Sequence, residues 1–401
     1  MRGTLEQYDG KSLRAKNGKL PLSTKKAAVF LLTAVVLTVS LALLIGEVFV
    51  RMTRPQNLSG SWRTANDAGL FVHCKNIVSR HQFGGRVVSY RFNAVGHRDY
   101  GASPASERVL VLGDSFTFGW LLNDADIYVA HLQRRIDTYY GIGRFELINA
   151  GHGGWGASDY VRYYEDYGAD LDISAVLIFM NTDDIGRSLR AGQYSIDEGS
   201  AKLKKRYGVR RNSRSKQLLS SIPGYSWMLH NSHLLQIGRN FAHGHHAPPD
   251  PGDTIAGPVT IGDFDKRKAV SLGVAIFDRL ASISVERNHP IQVLTTGWFK
   301  EELSADVDPT RAFYREAERV FGELGIPYAD ISPIMKNRVD MEGLDTWIPG
   351  DGHPNETGAR LIAELNWPHV LNHLDAMVSG NSTGQQTVPE GEVARGEELF
   401  Q

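Results

Sequence analysis

From Ala27 to Val50 the chain reads AAVFLLTAVVLTVSLALLIGEVFV, apolar apart from hydroxyls and Glu47. About 24 such residues in a helix cover a ~30 Å hydrocarbon layer, so the pattern predicts a transmembrane helix over 27–50. Arg2, Lys11, Arg14, Lys16, Lys19, Lys25 and Lys26 stand before it, opposed only by Glu6 and Asp9. Positive charge on that side keeps 1–26 as a cytoplasmic tail and exports everything after residue 51 to the periplasmic or extracellular side. The run is long for a signal peptide and no small-residue cleavage pattern follows it, so a retained single-pass anchor is expected.

Past the span the pattern changes. Over 70–99 short apolar stretches alternate with polar residues (LFVHCKNIV, GGRVVSYRFNAVGHRD), which predicts a few strands in a lead-in segment, 51–104. From 105 onward continuous apolar runs alternate with amphipathic ones. Strands are expected at 108–112 (RVLVL), 145–149 (FELIN), 175–180 (AVLIFM), 291–296 and 327–331. Helices are expected at 128–140, 158–167, 266–286, 309–324 and 356–373. That alternation predicts an α/β domain over 105–376, a central parallel sheet covered by helices on both faces, with functional groups at the carboxyl ends of the strands.

Two segments break the rhythm. Residues 188–260 carry a basic run (Lys202, Lys204, Lys205, Arg206, Arg210, Arg211, Arg214), an apolar helical piece near 225–237 and the loop HGHHAPPDPGD. This reads as an insertion over one edge of the sheet, its charges a solvated face and His243, His245 and His246 part of a flexible loop rather than a metal site. The tail 377–401 lacks apolar periodicity and reads as disordered.

Composition adds exclusions. The chain has 401 residues, 44 Lys+Arg against 45 Asp+Glu, and 42% hydrophobic residues, enough to bury a core. A net charge of -1 argues against wholesale binding of nucleic-acid phosphate. A single cysteine, Cys74, excludes an internal disulfide and paired-cysteine zinc sites.

Candidate chemistry lies at the two ends of the alternating region. Ser115, in Gly113-Asp114-Ser115-Phe116-Thr117-Phe118-Gly119, directly follows a buried strand, where backbone N–H groups at a helix start favour negative charge. A serine hydroxyl needs a base to take its proton. Asp351-Gly352-His353-Pro354-Asn355 supplies an imidazole with a carboxylate two residues before it, just ahead of the last helix. Trp155, Trp298 and Phe299 follow strand ends, where packing and pocket lining are both open to them.

These blocks, taken together over 105–375, resemble the SGNH hydrolases, the GDSL-type esterases and lipases. Gly113-Asp114-Ser115 with Gly119 resembles the nucleophile block, with Phe116 where the name-giving motif has leucine. Asn149-Ala150-Gly151-His152-Gly153-Gly154 is similar to the second block, and Gly154 matches the glycine whose N–H is an oxyanion donor. Asp351 and His353 match the last block, whose acid more often stands three residues before the histidine; Asp345 is the reserve acid. Asn93-Ala94-Val95-Gly96-His97-Arg98-Asp99 is similar to the lead-in of membrane-anchored bacterial members. The third block departs from Gly-x-Asn-Asp: the chain reads Asn181-Thr182-Asp183-Asp184, which puts Asp183 at the place of the oxyanion Asn. An ionised carboxylate there would repel an oxyanion, so Asp183 is protonated, or points elsewhere, or Asn181 donates instead.

The resemblance implies a three-layer flavodoxin-like fold, catalytic Ser115, His353 and Asp351, and oxyanion positions Gly154 and Asp183. It implies no metal or organic cofactor. The expected activity is that of an exported, membrane-tethered serine hydrolase cleaving O-acyl esters on an envelope polysaccharide or lipid, or on a small molecule. Acyl transfer to an exopolysaccharide hydroxyl, and a non-catalytic envelope scaffold favoured by the altered third block, are the alternatives. Neither the acyl chain nor the oligomeric state is encoded in a motif.

Overall fold

The computed structural model describes residues 24–59, 62–66, 69–197, 200–203, 218, 221–242, 266–297 and 312–380. The tail 1–23, most of the basic run, the three loop histidines, Trp298, Phe299 and 381–401 lie outside them.

The chain divides into two units, Met1–Gln56 and Asn57–Gln401. The first holds one helix, Thr24–Thr53, of 30 residues, which rises about 45 Å. Its stretch Lys25–Thr53 is long and apolar enough to cross a membrane. Glu47, the acidic residue of the apolar run, accepts from Arg51 one turn on (3.1 Å), so its charge is paired.

The second unit is built on five parallel strands. Numbering all strands in chain order, these are β6 (Glu107–Gly113), β7 (Phe145–Asn149), β8 (Ala175–Met180), β11 (Ile291–Thr295) and β12 (Tyr328–Ala329), arranged β12-β11-β8-β6-β7. In order of appearance the strands therefore lie 2-1-3-4-5, the flavodoxin-like order, whose reversal between first and third strands opens a crevice at the carboxyl edge. Successive side chains of β6 point to opposite faces, and both faces are covered: Leu110 and Leu112 enter a core with helices Ala157–Tyr167, Lys266–Arg287 and Ala312–Glu323. Val109 and Val111 enter another with Tyr128–Tyr140 and Glu356–Val378. Burial on both sides is why these strands read as unbroken apolar runs.

The lead-in forms antiparallel structure. Strands β4 (Ile77–Phe83) and β5 (Arg86–Phe92) make a hairpin closed by Gly84-Gly85, with β1 (Leu58–Ser59) on the outer side of β4. Gly84 has φ of +55°, the sign a two-residue hairpin turn demands. Along β5 only Val88, Tyr90 and Phe92 are buried, and they pack with Trp62, Phe118, Trp120, Leu121 and Ile348. β2 (Arg63–Ala65) and β3 (Phe71–His73) pair beside them.

The helix Ser332–Glu342 is absent from the sequence reading, because SPIMKNRVDME buries only Met335 and so carries no apolar stripe. A helix over Asp184–Ala191 runs past residue 188, so the insertion leaves the fold only at Gly192. Its first described part is a hairpin, β9 (Tyr194–Asp197) with β10 (Ser200–Leu203). The expected apolar helical piece is two helices, Tyr225–Asn231 and His233–Ala242.

Candidate active site

The site forms at the carboxyl edge of β6, where the strand turns directly into the short helix Ser115–Phe118. Asp114 caps that helix by accepting from the Phe116 N–H (2.8 Å). Gly113 has no room for a side chain, since a Cβ there would lie 1.8 Å from Thr117 Oγ1. Gly119 ends the helix at φ +78°. Ser115 is thereby fixed at the first helical position.

His353 arrives from the loop before the final helix. Its Nε2 accepts from Ser115 Oγ at 2.8 Å, and its Nδ1 donates to Asp351 Oδ1 at 2.5 Å. The two-residue spacing works because Gly352 adopts φ +87°, folding the carboxylate back onto the ring. The loop is pinned by Ile348 N–H on His353 O (2.8 Å), and Asn355 caps the following helix through Gly358 N–H (3.0 Å). Asp345, the reserve acid, is exposed and accepts from its own loop at Trp347 N–H. Residues 238 positions apart thus meet in one hydrogen-bonded relay.

The second block runs alongside. Asn149 donates to Thr117 O (2.8 Å) and accepts from Gly151 N–H (3.0 Å), tying it to the helix Ser115–Phe118. A Cβ on Gly153 would meet Ser115 Cβ at 3.9 Å and the Trp120 ring at 3.7 Å; Gly154 follows in the left-handed region at φ +86°. Gly151 is the tightest join, its absent Cβ only 2.6 Å from both Phe118 N and Thr117 Cβ. We expect Gly151→Ala to cost about 1–3 kcal/mol of stability by overpacking. The urea midpoint of the full chain in detergent measures it, and an unchanged midpoint would mean that the two blocks do not press together.

The third block differs from the expectation for Asp183. Its carboxylate is 43% exposed and faces Arg187 (3.8 Å) and Arg190 (3.7 Å). Position 183 starts a helix, and residues four and seven further on fall on the same face, so the two guanidinium groups draw the carboxylate to themselves. Asn181 points to the first block instead, donating from Nδ2 to Asp114 Oδ2 at 3.2 Å.

The pattern gave no sign of the surroundings. Phe116 and Trp120 flank the His353 ring at centroid distances of 5.4 and 5.7 Å. Trp120 packs on Trp62 and edge-on to His81, which the lead-in supplies. His81 Nδ1 lies 2.8 Å from the Tyr90 hydroxyl, which accepts from Leu121 N–H. Burial pushes His81 down to about 4. Arg98 of the lead-in motif is fully buried: it donates to the carbonyls of Phe118 (3.0 Å) and Leu122 (2.8 Å) and to Asp124 (2.9 Å), and it lies over the rings of Tyr90 and Phe118. Trp155 is buried, stacked against His152, and takes the packing fate. Among the described residues no group of three or more His, Cys, Asp or Glu is placed to hold a metal ion.

No family model matches the chain, and no curated protein matches it. Among the solved structures similar to it are esterases and a member of the lipolytic protein G-D-S-L family. The acetyl xylan esterase AlAXEase is 14% identical, over 66% of this chain and 99% of that one, with a TM-score of 0.38. A member of the lipolytic protein G-D-S-L family from Veillonella parvula DSM 2008 is 15% identical over 66% and 97%, TM-score 0.34. The psychrotrophic esterase EstA from Pseudoalteromonas sp. is 13% identical over 67% and 100%, TM-score 0.36.

Proposed function

We propose that the chain is a membrane-tethered, exported serine hydrolase of the SGNH type that cleaves carboxylic O-acyl esters, with an envelope polysaccharide or lipid as the alcohol. The observation that carries this reading is the relay Ser115 Oγ to His353 Nε2 (2.8 Å), with His353 Nδ1 on Asp351 (2.5 Å). That arrangement is the one a hydroxyl needs in order to lose its proton, which supports the enzyme reading over the scaffold.

In the reaction, Ser115 Oγ attacks the ester carbonyl as His353 Nε2 takes its proton. Asp351 holds the ring in the tautomer that leaves Nε2 free and balances the imidazolium. The carbonyl oxygen becomes an oxyanion facing the N–H groups of Ser115 and Gly154, of which the resemblance assigns Gly154. His353 then gives the proton to the departing alcohol, and water drawn in by the same imidazole releases the acid from Ser115. Anchoring rests on the helix Thr24–Thr53 and on the basic residues before it.

The same acyl-serine can pass to a sugar hydroxyl in place of water, which is the second reading. A fluorophosphonate offered to intact cells should label Ser115. With p-nitrophenyl acetate and added oligosaccharide, the split of acetate between water and sugar decides between hydrolysis and transfer. No labelling of Ser115 in folded protein would end both.

A further inference from the structure

The relay accounts for the proton, but not for the charge beside it. Asp114 is fully buried, and its Oδ2 lies 3.5 Å from Ser115 Oγ. A carboxylate so close opposes the oxyanion that must form on the carbon bonded to that oxygen. Two further carboxyl groups stand near, Asp183 and Asp184 of the altered third block. One side chain reaches all three: Arg187 donates from Nη1 to Asp114 Oδ2 (2.8 Å), with Asp183 at 3.8 Å and Asp184 at 3.9 Å. Arg187 also donates to the carbonyl of Trp155 (3.2 Å), which ties it to the second block. It passes against Gly156, where a Cβ would lie 2.9 Å from Arg187 Cβ. Asn181 completes the set from Nδ2 on the same Asp114 oxygen.

Resting on the reading of Ser115 as nucleophile, we propose that Arg187 is a positioning residue of the reaction: it balances Asp114 beside the nucleophile and holds the Asp183 carboxylate away from the developing oxyanion. The carboxylate at 183 and the arginine one helical turn later are then one unit. Burial, with Asp114 next to it, pushes Asp184 well above the ordinary carboxyl range, while the nearest contact of Arg187 in the set is Asp114. Arg190 shares Asp183 at 3.7 Å, while Tyr128, Tyr160 and Tyr314 are further titratable groups near Asp184.

The test is a double-mutant cycle on the full chain in detergent, with p-nitrophenyl acetate. Arg187→Gln should lower kcat about 10²-fold while KM changes by less than about threefold, the signature of an interaction that matters once charge develops. Adding Asp183→Asn to that variant should recover about tenfold, and the same change in the native background should have a smaller effect, a coupling expected only of groups that share one charge balance. Equal effects of Asp183→Asn in both backgrounds, or an Arg187→Gln loss confined to KM, would overturn the proposal. Should Arg187→Gln not fold, Arg187→Lys, which keeps the charge without the fork, is expected to lose less than about tenfold in kcat and to gain little from Asp183→Asn, and a loss of about 10²-fold in it would overturn the proposal. A wild-type chain with no Ser115-dependent turnover would sink the hydrolase reading as well, whereas Ser115-dependent turnover without coupling sinks this proposal alone.

Discussion

Ser115→Ala will lower kcat for p-nitrophenyl acetate by roughly 10⁴ to 10⁶, and Ser115→Ala/His353→Ala will be hardly worse than either single change. The reason is mechanical. With Oγ gone, the imidazole that sat 2.8 Å away has no hydroxyl to activate; with the imidazole gone, the hydroxyl has no acceptor, so each removal disables the same relay. Asp351→Asn leaves both reacting groups in place, but its amide, if it donates toward Nδ1, favours the wrong tautomer, and a loss of about 10⁴ is expected. Additive losses across the double variant would show that serine and histidine act separately, and a Ser115→Ala protein with wild-type rate would end the case for acyl chemistry.

The second large effect is on stability. Seven imidazoles are buried among the described residues, and five of them are pushed down by that burial. Burial lowers His81, His97 and His373 to about 4, and His73 and His152 well below the ordinary value. In the unfolded chain each titrates near about 6.5. Folded pKa values lie below unfolded ones, so below pH 6.5 the unfolded chain takes up protons that the folded chain refuses. Stability is therefore full above about pH 6.5 and is lost as the pH falls toward 4, by up to about 1.4 kcal/mol per pH unit for each group and about 7 for the five together. Asp184, shifted upward, works in the opposite direction, one group against five. A domain with an ordinary 5–15 kcal/mol of stability should then unfold between about pH 6 and 4. Urea midpoints taken from pH 8 to 5 measure this, and a flat profile would show that these histidines are already protonated or solvated in the native state.

The contrast between what the chain's pattern discloses and what it hides follows from range. RVLVL and AVLIFM are legible as central strands because burial on both faces leaves no polar position in them. Ser115 and His353 are legible because strand-end chemistry is local to a few residues at each end. The lead-in is legible as strands but not as a wall of the site, since no local signal says that Tyr90, Trp62 and His81 will meet Trp120 and Phe118. The motif puts Asp183 at the oxyanion position, and the arginine four residues later is the local sign that its carboxylate turns away. Ser332–Glu342 was hidden because its helix is nearly all exposed, leaving no periodicity to read.

Arg98 carries a consequence for how the molecule can be divided. Its guanidinium occupies the carbonyls of Phe118 and Leu122, and its own N–H is held by Asn149, so one residue of the early segment joins the first and second blocks. A chain trimmed to start at residue 105 would retain every reacting group yet leave those oxygens without a donor. The sheet unit is thus not a module appended to a spacer: the lead-in stretch is its keystone, and a truncation that keeps the fold is expected to begin near residue 57.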